Sequence, residues 1–113
     1  MIVDDEEDVC QALAKVIQRK GFEVVTCGDG ETALEMFKTH RPDITFLDLY
    51  IPKLKGWQVL EEIRKIDSGA KVYFVTGSHD DAEKLKGKNV PVNGYVLKPI
   101  DLSEIVKIVE ENR

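Results

Sequence analysis

The sequence has no apolar run that approaches the roughly 20 residues a membrane helix needs. No secretory leader is visible either, because acids follow Val3 at once where an apolar h-region would continue. Cysteine is scarce: Cys10 and Cys27 are the only two, in no C-x-x-C or metal-ligand spacing. They read as reduced, partly buried thiols of a cytoplasmic protein rather than as a disulfide framework. Histidine is scarcer in effect, since His40 and His79 stand alone and read as surface residues. Positive charge is in deficit, with 16 Lys and Arg against 21 Asp and Glu and a formal net charge of −5. That balance argues against direct nucleic-acid binding, which needs a basic face for phosphate contacts. Nothing in the chain calls for a membrane.

What is present is an alternation. Length suits one domain over residues 1–113, with no second domain, repeat, linker or low-complexity segment. Short apolar runs rich in β-branched and aromatic residues fall at 2–3, 22–26, 44–47, 72–75 and 95–97. Near-continuous apolar runs of this kind suit strands covered on both faces of a parallel sheet. Between them lie amphipathic stretches. Residues 7–20 place Val9, Leu13, Val16 and Ile17 at helical spacing, with Gly21 as a stop. Residues 31–39, 57–66 and 101–112 follow the same pattern, the last with Asp101 as its expected N-cap. Asp80–Lys88 has few apolar anchors and is expected to be a short helix. The pattern is β-α repeated five times, which implies a parallel sheet with helices on both faces and right-handed crossovers. Ile2-Val3 is short for a central strand, against a usual 5–6 residues, as a trimmed N-terminus would produce.

In open α/β sheets, ligands bind outside the carboxyl ends of the strands. The residues expected there are Asp4 and Asp5, Asp48, Thr76 before Gly77, and Lys98 before Pro99. Taken singly, each has an ordinary explanation. Asp4 and Asp5 open a run of five acids and suit the start of a helix, where negative charge favours the dipole. Asp48 precedes a Pro-containing loop, and Thr76-Gly77 is a common turn. Lys98-Pro99 implies only an extended residue before proline. Taken together, three carboxylates, a hydroxyl and an ammonium converge on one edge. Hard oxygen donors of this kind suit Mg²⁺, which keeps several waters and takes one or two carboxylates. A carboxylate can also serve as a nucleophile. Glu6, Glu7 and Asp8 read instead as first-turn acids facing water.

Four segments in order strengthen the reading: I-V-D-D-E at 2–6, L-D-L-Y-I-P-K-L-K-G at 47–56, V-T-G at 75–77 and Y-V-L-K-P-I at 95–100. With them the chain resembles the receiver domain of two-component response regulators, from Ile2 to about Asn112. The resemblance implies a flavodoxin-like (β/α)5 fold with strand order 2-1-3-4-5. It implies that Asp48 takes a phosphoryl group from a phosphohistidine on a sensor histidine kinase or histidine phosphotransfer protein. Asp5, Asp48 and the backbone carbonyl of Tyr50 would hold Mg²⁺, with Asp4 acting through water. Thr76 and Lys98 would contact phosphoryl oxygens, Thr76 and Tyr95 would form the switch, and the Lys98-Pro99 bond would be cis. Tyr50 and Ser78 would flank the phosphoryl group, bulky Tyr50 limiting access of water. Such a domain handles its own phosphorylation and dephosphorylation without being a turnover enzyme. Its output would run through an output domain, an effector protein or a second copy.

Three other functions fit less well. A Mg²⁺-dependent aspartyl phosphatase would carry D-x-D after its first strand, where this chain reads D-D-E. A mononucleotide binder would offer Ser, Thr and Gly amides there, not five acids. A receiver-shaped interaction module that is never phosphorylated keeps the fold, but nothing in the residues recommends it.

Overall fold

The computed structural model describes residues 1–77 and 92–112. The expected helix over 80–88, with Ser78 and His79, lies outside the described residues. In chain order the elements are β1 (Ile2–Val3), α1 (Glu7–Arg19), β2 (Thr26–Cys27), α2 (Gly30–His40) and β3 (Ile44–Asp48). Then come α3 (Gly56–Ile66), β4 (Lys71–Thr76), β5 (Gly94–Leu97) and α4 (Leu102–Glu111). The strands form one sheet in the order β2-β1-β3-β4-β5, every neighbouring pair parallel. Fold class and strand order agree with the sequence reading.

Side-chain alternation along the strands sorts the core into two layers. On one face Val3, Leu47, Val72 and Phe74 pack with Ala33 and Phe37 of α2 and Val59, Leu60 and Ile63 of α3. On the other, Ile2, Phe46, Val75 and Val96 pack with Cys10, Leu13 and Ile17 of α1 and Ile105 and Val109 of α4. A fully buried side chain such as Phe37 or Ile63 contributes about 1.5–3 kcal/mol of transfer free energy.

Helix ends follow local chemistry. Asp29 caps α2, its carboxylate accepting from Thr32 N at 2.8 Å and Thr32 Oγ1 at 3.0 Å. Asp101 caps α4 by accepting from Ser103 N at 2.9 Å, as expected. Gly21 takes φ 93° just past the end of α1, which is why glycine serves there.

One element departs from the sequence reading. The second strand was expected over 22–26 but forms at Thr26–Cys27. A strand needs a hydrogen-bonding neighbour as well as an apolar run. Here β1 supplies one only from Ile2 onward, opposite Thr26. Residues 22–24 therefore lie ahead of the paired region, Val25 joins it only through its carbonyl, which accepts from Ile2 N at 2.9 Å, and none of the four is strand.

Candidate functional site

The carboxyl ends of β1, β3, β4 and β5 meet at one edge of the sheet, and parallel register brings their terminal residues level. Asp48 closes β3 opposite Val75, so Thr76 stands one residue beyond it on β4. Thr76 is buried, and its carbonyl accepts from Lys98 N at 2.8 Å. Lys98 follows the end of β5 and turns its side chain back across the sheet. Its Nζ donates to Asp48 Oδ2 at 2.8 Å and lies 3.6 Å from Asp4 Oδ2. The Lys98-Pro99 bond is cis, as expected.

Carboxylate oxygens of Asp4, Asp5 and Asp48 all lie within 4.8 Å of one another. Asp4 and Asp48 are buried and Asp5 is exposed, so the cluster has a closed side and an open one. Like charges this close repel, at about 3.5 kcal/mol per pair for an effective dielectric of 20. The fold offsets that with fixed donors. Asp4 Oδ1 accepts from Glu6 N at 2.9 Å, and Asp48 Oδ1 accepts from Tyr50 N at 3.2 Å. Burial still pushes the Asp4 carboxyl above its ordinary pKa. The hydrogen bond from Glu6 opposes that, the Asp48 charge adds to it, and Lys98 works against it. For Lys98, burial acts to lower the pKa, but the hydrogen bond and charge of Asp48, then Asp4 and Glu6, leave it raised overall.

Neither Asp4 nor Asp5 caps α1, because the N-cap is Glu6. Asp4 binds the backbone one step earlier, and its side chain turns into the cluster. Glu6 is exposed, yet its carboxylate reaches 3.8 Å from Lys98 Nζ, so it joins the ion cluster rather than only facing water. Sequence spacing cannot show this, since Lys98 is 92 positions away.

The loop from Leu49 to Lys55 is held by backbone contacts whose value is invisible in the sequence. Leu49 N donates to Val75 O at 3.1 Å, and Gly56 N to Leu49 O at 3.0 Å. A Cβ on Gly56 would lie 2.9 Å from Asp48 O and 3.0 Å from Leu49 Cα, so only glycine fits. Lys53 takes φ 73°, with Leu54 N donating to Pro52 O at 2.9 Å. That is a γ-turn of the rare, strained hand. Gly30 N, at the start of α2, donates to Pro52 O at 3.2 Å. Cys10, expected only as a buried thiol, also supports the site: its Sγ donates to Asp4 O at 3.3 Å. Burial pushes that thiol up to about 11, so it stays protonated.

The Tyr50 side chain is 63% exposed beside this loop. Tyr95 is half-buried on β5 and stacks on Phe74 with ring centroids 6.1 Å apart. The structure therefore gathers Asp4, Asp5, Asp48 and Lys98 into one cluster with Thr76 at the adjoining strand end, and places Tyr95 in the sheet.

A family model described as the response regulator receiver domain matches residues 1–110. The chain belongs to the response regulator receiver domain family. Among curated relatives, a probable transcriptional regulator ycf27 from Guillardia theta is 38% identical over 105 residues, 93% of this chain and 41% of the relative. The alkaline phosphatase synthesis transcriptional regulatory protein PhoP of Bacillus subtilis (strain 168) is 31% identical, over 93% of this chain and 44% of that protein. The receiver domain thus spans less than half the length of these relatives. A putative response regulator from Chloroflexus aurantiacus J-10-fl superposes with a TM-score of 0.85 at 27% identity, covering 98% of this chain and 93% of the other. Among the described residues, no helix is long and apolar enough to cross a membrane.

Proposed function

We propose that this receiver domain is a phosphoacceptor in which Asp48 is the nucleophile. The observation that carries the reading is the contact of Lys98 Nζ with Asp48 Oδ2 at 2.8 Å, inside a cluster of three carboxylates on one strand edge. The donor set is all hard oxygen with an exposed side, which fits Mg²⁺. Asp4, acting through water, Asp5, Asp48 and the Tyr50 carbonyl would hold the ion. Bound there, Mg²⁺ would neutralise charge on a transferring phosphoryl group.

The chain's own residues account for the rest. A carboxylate oxygen of Asp48 forms a bond to the phosphorus of a phosphohistidine on the partner, and the P–N bond breaks with its electron pair leaving on the imidazole. Tyr50 N–H and Lys98 hold the carboxylate in place before attack. Lys98 then offsets charge on the phosphoryl oxygens, and the Thr76 hydroxyl donates to one of them. Water attacking phosphorus reverses the state, releasing inorganic phosphate and restoring the carboxylate. No turnover on external substrates is involved. The donor is a sensor histidine kinase or histidine phosphotransfer protein in the cytoplasm. Recruitment of Thr76, with Tyr95 moving behind it, biases an output domain, an effector or a second copy.

Acetyl phosphate with Mg²⁺, read by intact-mass spectrometry, tests this. A phosphoryl adduct forms on the wild type and not on Asp48→Asn. Absence of the adduct on the wild type points to an interaction module that is never phosphorylated. Steady phosphate release from many esters points to a phosphatase. Mg²⁺ also raises the melting temperature, by the equivalent of about 2.7 kcal/mol at a hundredfold excess over its dissociation constant. Asp5→Asn removes that rise and Glu7→Gln leaves it.

A further inference from the structure

The corner between β2 and α2 supplies no side chain to the carboxylate cluster, yet it touches both segments that form it. On one side, Asp4 N donates to Cys27 O at 3.0 Å. A Cβ on Gly28 would stand 3.8 Å from Asp4 O and 3.9 Å from Asp5 Cα, in ordinary contact with the backbone of the two acids. On the other side, Gly30 meets the loop that follows Asp48. Gly30 is buried, and its N–H donates to Pro52 O at 3.2 Å. The same carbonyl accepts from Leu54 N at 2.9 Å. A Cβ on Gly30 would lie 2.6 Å from Leu54 Cβ, 3.0 Å from Val59 Cγ2 and 3.2 Å from Leu54 O. Gly30 is not in the left-handed region, so the close approach is what demands glycine there. Inside a helix alanine is otherwise the better residue.

The loop needs such a neighbour. Lys53 stands at φ 73°, and a side chain in that region persists only where its surroundings hold it. The ion pairs of Lys53 do little of this. Its Nζ is 4.0 Å from Asp29 and 3.9 Å from Glu31, with Lys53 54% and Glu31 65% exposed, so solvent screens the attraction. The hydrogen bond from Gly30 and the close approach of its Cα act directly on the turn. Two residues before Pro52 stands Tyr50, whose N–H donates to Asp48 Oδ1 at 3.2 Å.

We propose that Gly30 is a positioning residue for the acceptor site. It braces Pro52–Leu54 against the start of α2, and so fixes the Tyr50 carbonyl and the Asp48 carboxylate relative to Asp4 and Asp5. What the site holds rests on the phosphoacceptor reading above. That Gly30 holds the loop does not, because the contacts are within the chain.

Gly30→Ala, Glu31→Gln and the double variant Gly30→Ala/Leu54→Gly are compared with the wild type. Calorimetric titration with MgCl₂ reads the site, and amide hydrogen exchange without metal reads the loop. Gly30→Ala should bind Mg²⁺ about tenfold more weakly, as loss of a group that orients metal ligands does. It should lose protection at the Tyr50 and Leu54 amides, while Phe46 and Phe74 in the sheet keep theirs. Replacing Leu54 by glycine clears the 2.6 Å contact, and the other two need shifts of only a few tenths of an ångström. The double variant should therefore recover most of the Mg²⁺ affinity. It should also melt below Gly30→Ala, because a half-buried leucine packed on the core is gone. A merely structural role would lower affinity and melting temperature together. Glu31→Gln should bind as the wild type does. Unchanged affinity in Gly30→Ala, or unchanged protection at Tyr50 and Leu54, would overturn the proposal. So would equal loss of protection at Phe46 and Phe74, no recovery in the double variant, or the same loss of affinity in Glu31→Gln. A wild type that binds no Mg²⁺ would defeat the metal reading instead, and exchange at Tyr50 and Leu54 would still decide whether Gly30 holds the loop.

Discussion

Replacing Lys98 by methionine keeps the apolar stem and removes a cation that touches two buried carboxylates. The ammonium sits 2.8 Å from Asp48 and 3.6 Å from Asp4. At an effective dielectric of 20 those contacts amount to roughly 6 and 5 kcal/mol of gross attraction. Relief of the ammonium's own desolvation returns much of that. Removing one partner of a fully buried pair costs about 3–5 kcal/mol. Lys98 keeps 27% of its side chain in water, so screening brings the expected loss to about 2–3 kcal/mol. Urea unfolding at neutral pH with a chelator measures it. The Lys98 pKa is raised in the folded state, so its contribution is complete below the ordinary lysine value and is lost only as pH rises through the folded one. Measurements between about pH 7 and 9 should therefore agree. Two controls follow from the charge argument. Asp48→Asn in the Lys98→Met background should recover most of the loss, because the uncompensated charge is then gone. Mg²⁺ should stabilise Lys98→Met more than the wild type, because the ammonium no longer competes for the same oxygens. A Lys98→Met protein as stable as the wild type, or one that Asp48→Asn fails to rescue, would refute the reasoning.

Gly56→Ala forces a methyl against the Asp48 and Leu49 backbone, and should cost about 1–3 kcal/mol in urea unfolding while also slowing phosphorylation of Asp48 by acetyl phosphate. A wild-type rate with reduced stability would show that the loop yields without moving Asp48. The Thr45 hydroxyl is buried with no hydrogen-bond partner among the described residues, so Thr45→Val should stabilise the domain by about 1 kcal/mol. A loss of stability would mean that the hydroxyl is satisfied. Tyr50→Ala should shorten the lifetime of the phosphorylated state, read as decay of the adduct mass. An unchanged decay rate would show that the exposed ring does not limit access of water.

The fold was largely legible because its signals are local. Apolar runs separated by amphipathic stretches, Gly21 as a stop and Asp101 as a cap all act within a few residues of themselves. The candidate site was legible for a related reason: in a parallel sheet, the residue that ends each strand is delivered to a common edge. Asp4, Asp5, Asp48, Thr76 and Lys98 needed only the strand boundaries to be found. What could not be read depends on contacts between distant segments. Glu6 looks like its neighbours Glu7 and Asp8 until Lys98 is placed beside it. Cys10 looks like any buried thiol until the Asp4 carbonyl is found above it. The second strand was expected four residues too early because its apolar run begins at Phe22, whereas pairing begins where β1 does.

By itself, then, the order of residue types determined the alternation of strand and helix, the identity of the polar edge and the membership in a family. Those depend on periodicity and on which residue follows each apolar run. Only the tertiary structure decided which oxygen of Asp48 meets Lys98 and why position 56 must be glycine. Each of these is set by distances of a few ångströms between backbone segments far apart in the chain. Such distances arise from packing one element on another, and no single stretch of sequence contains them.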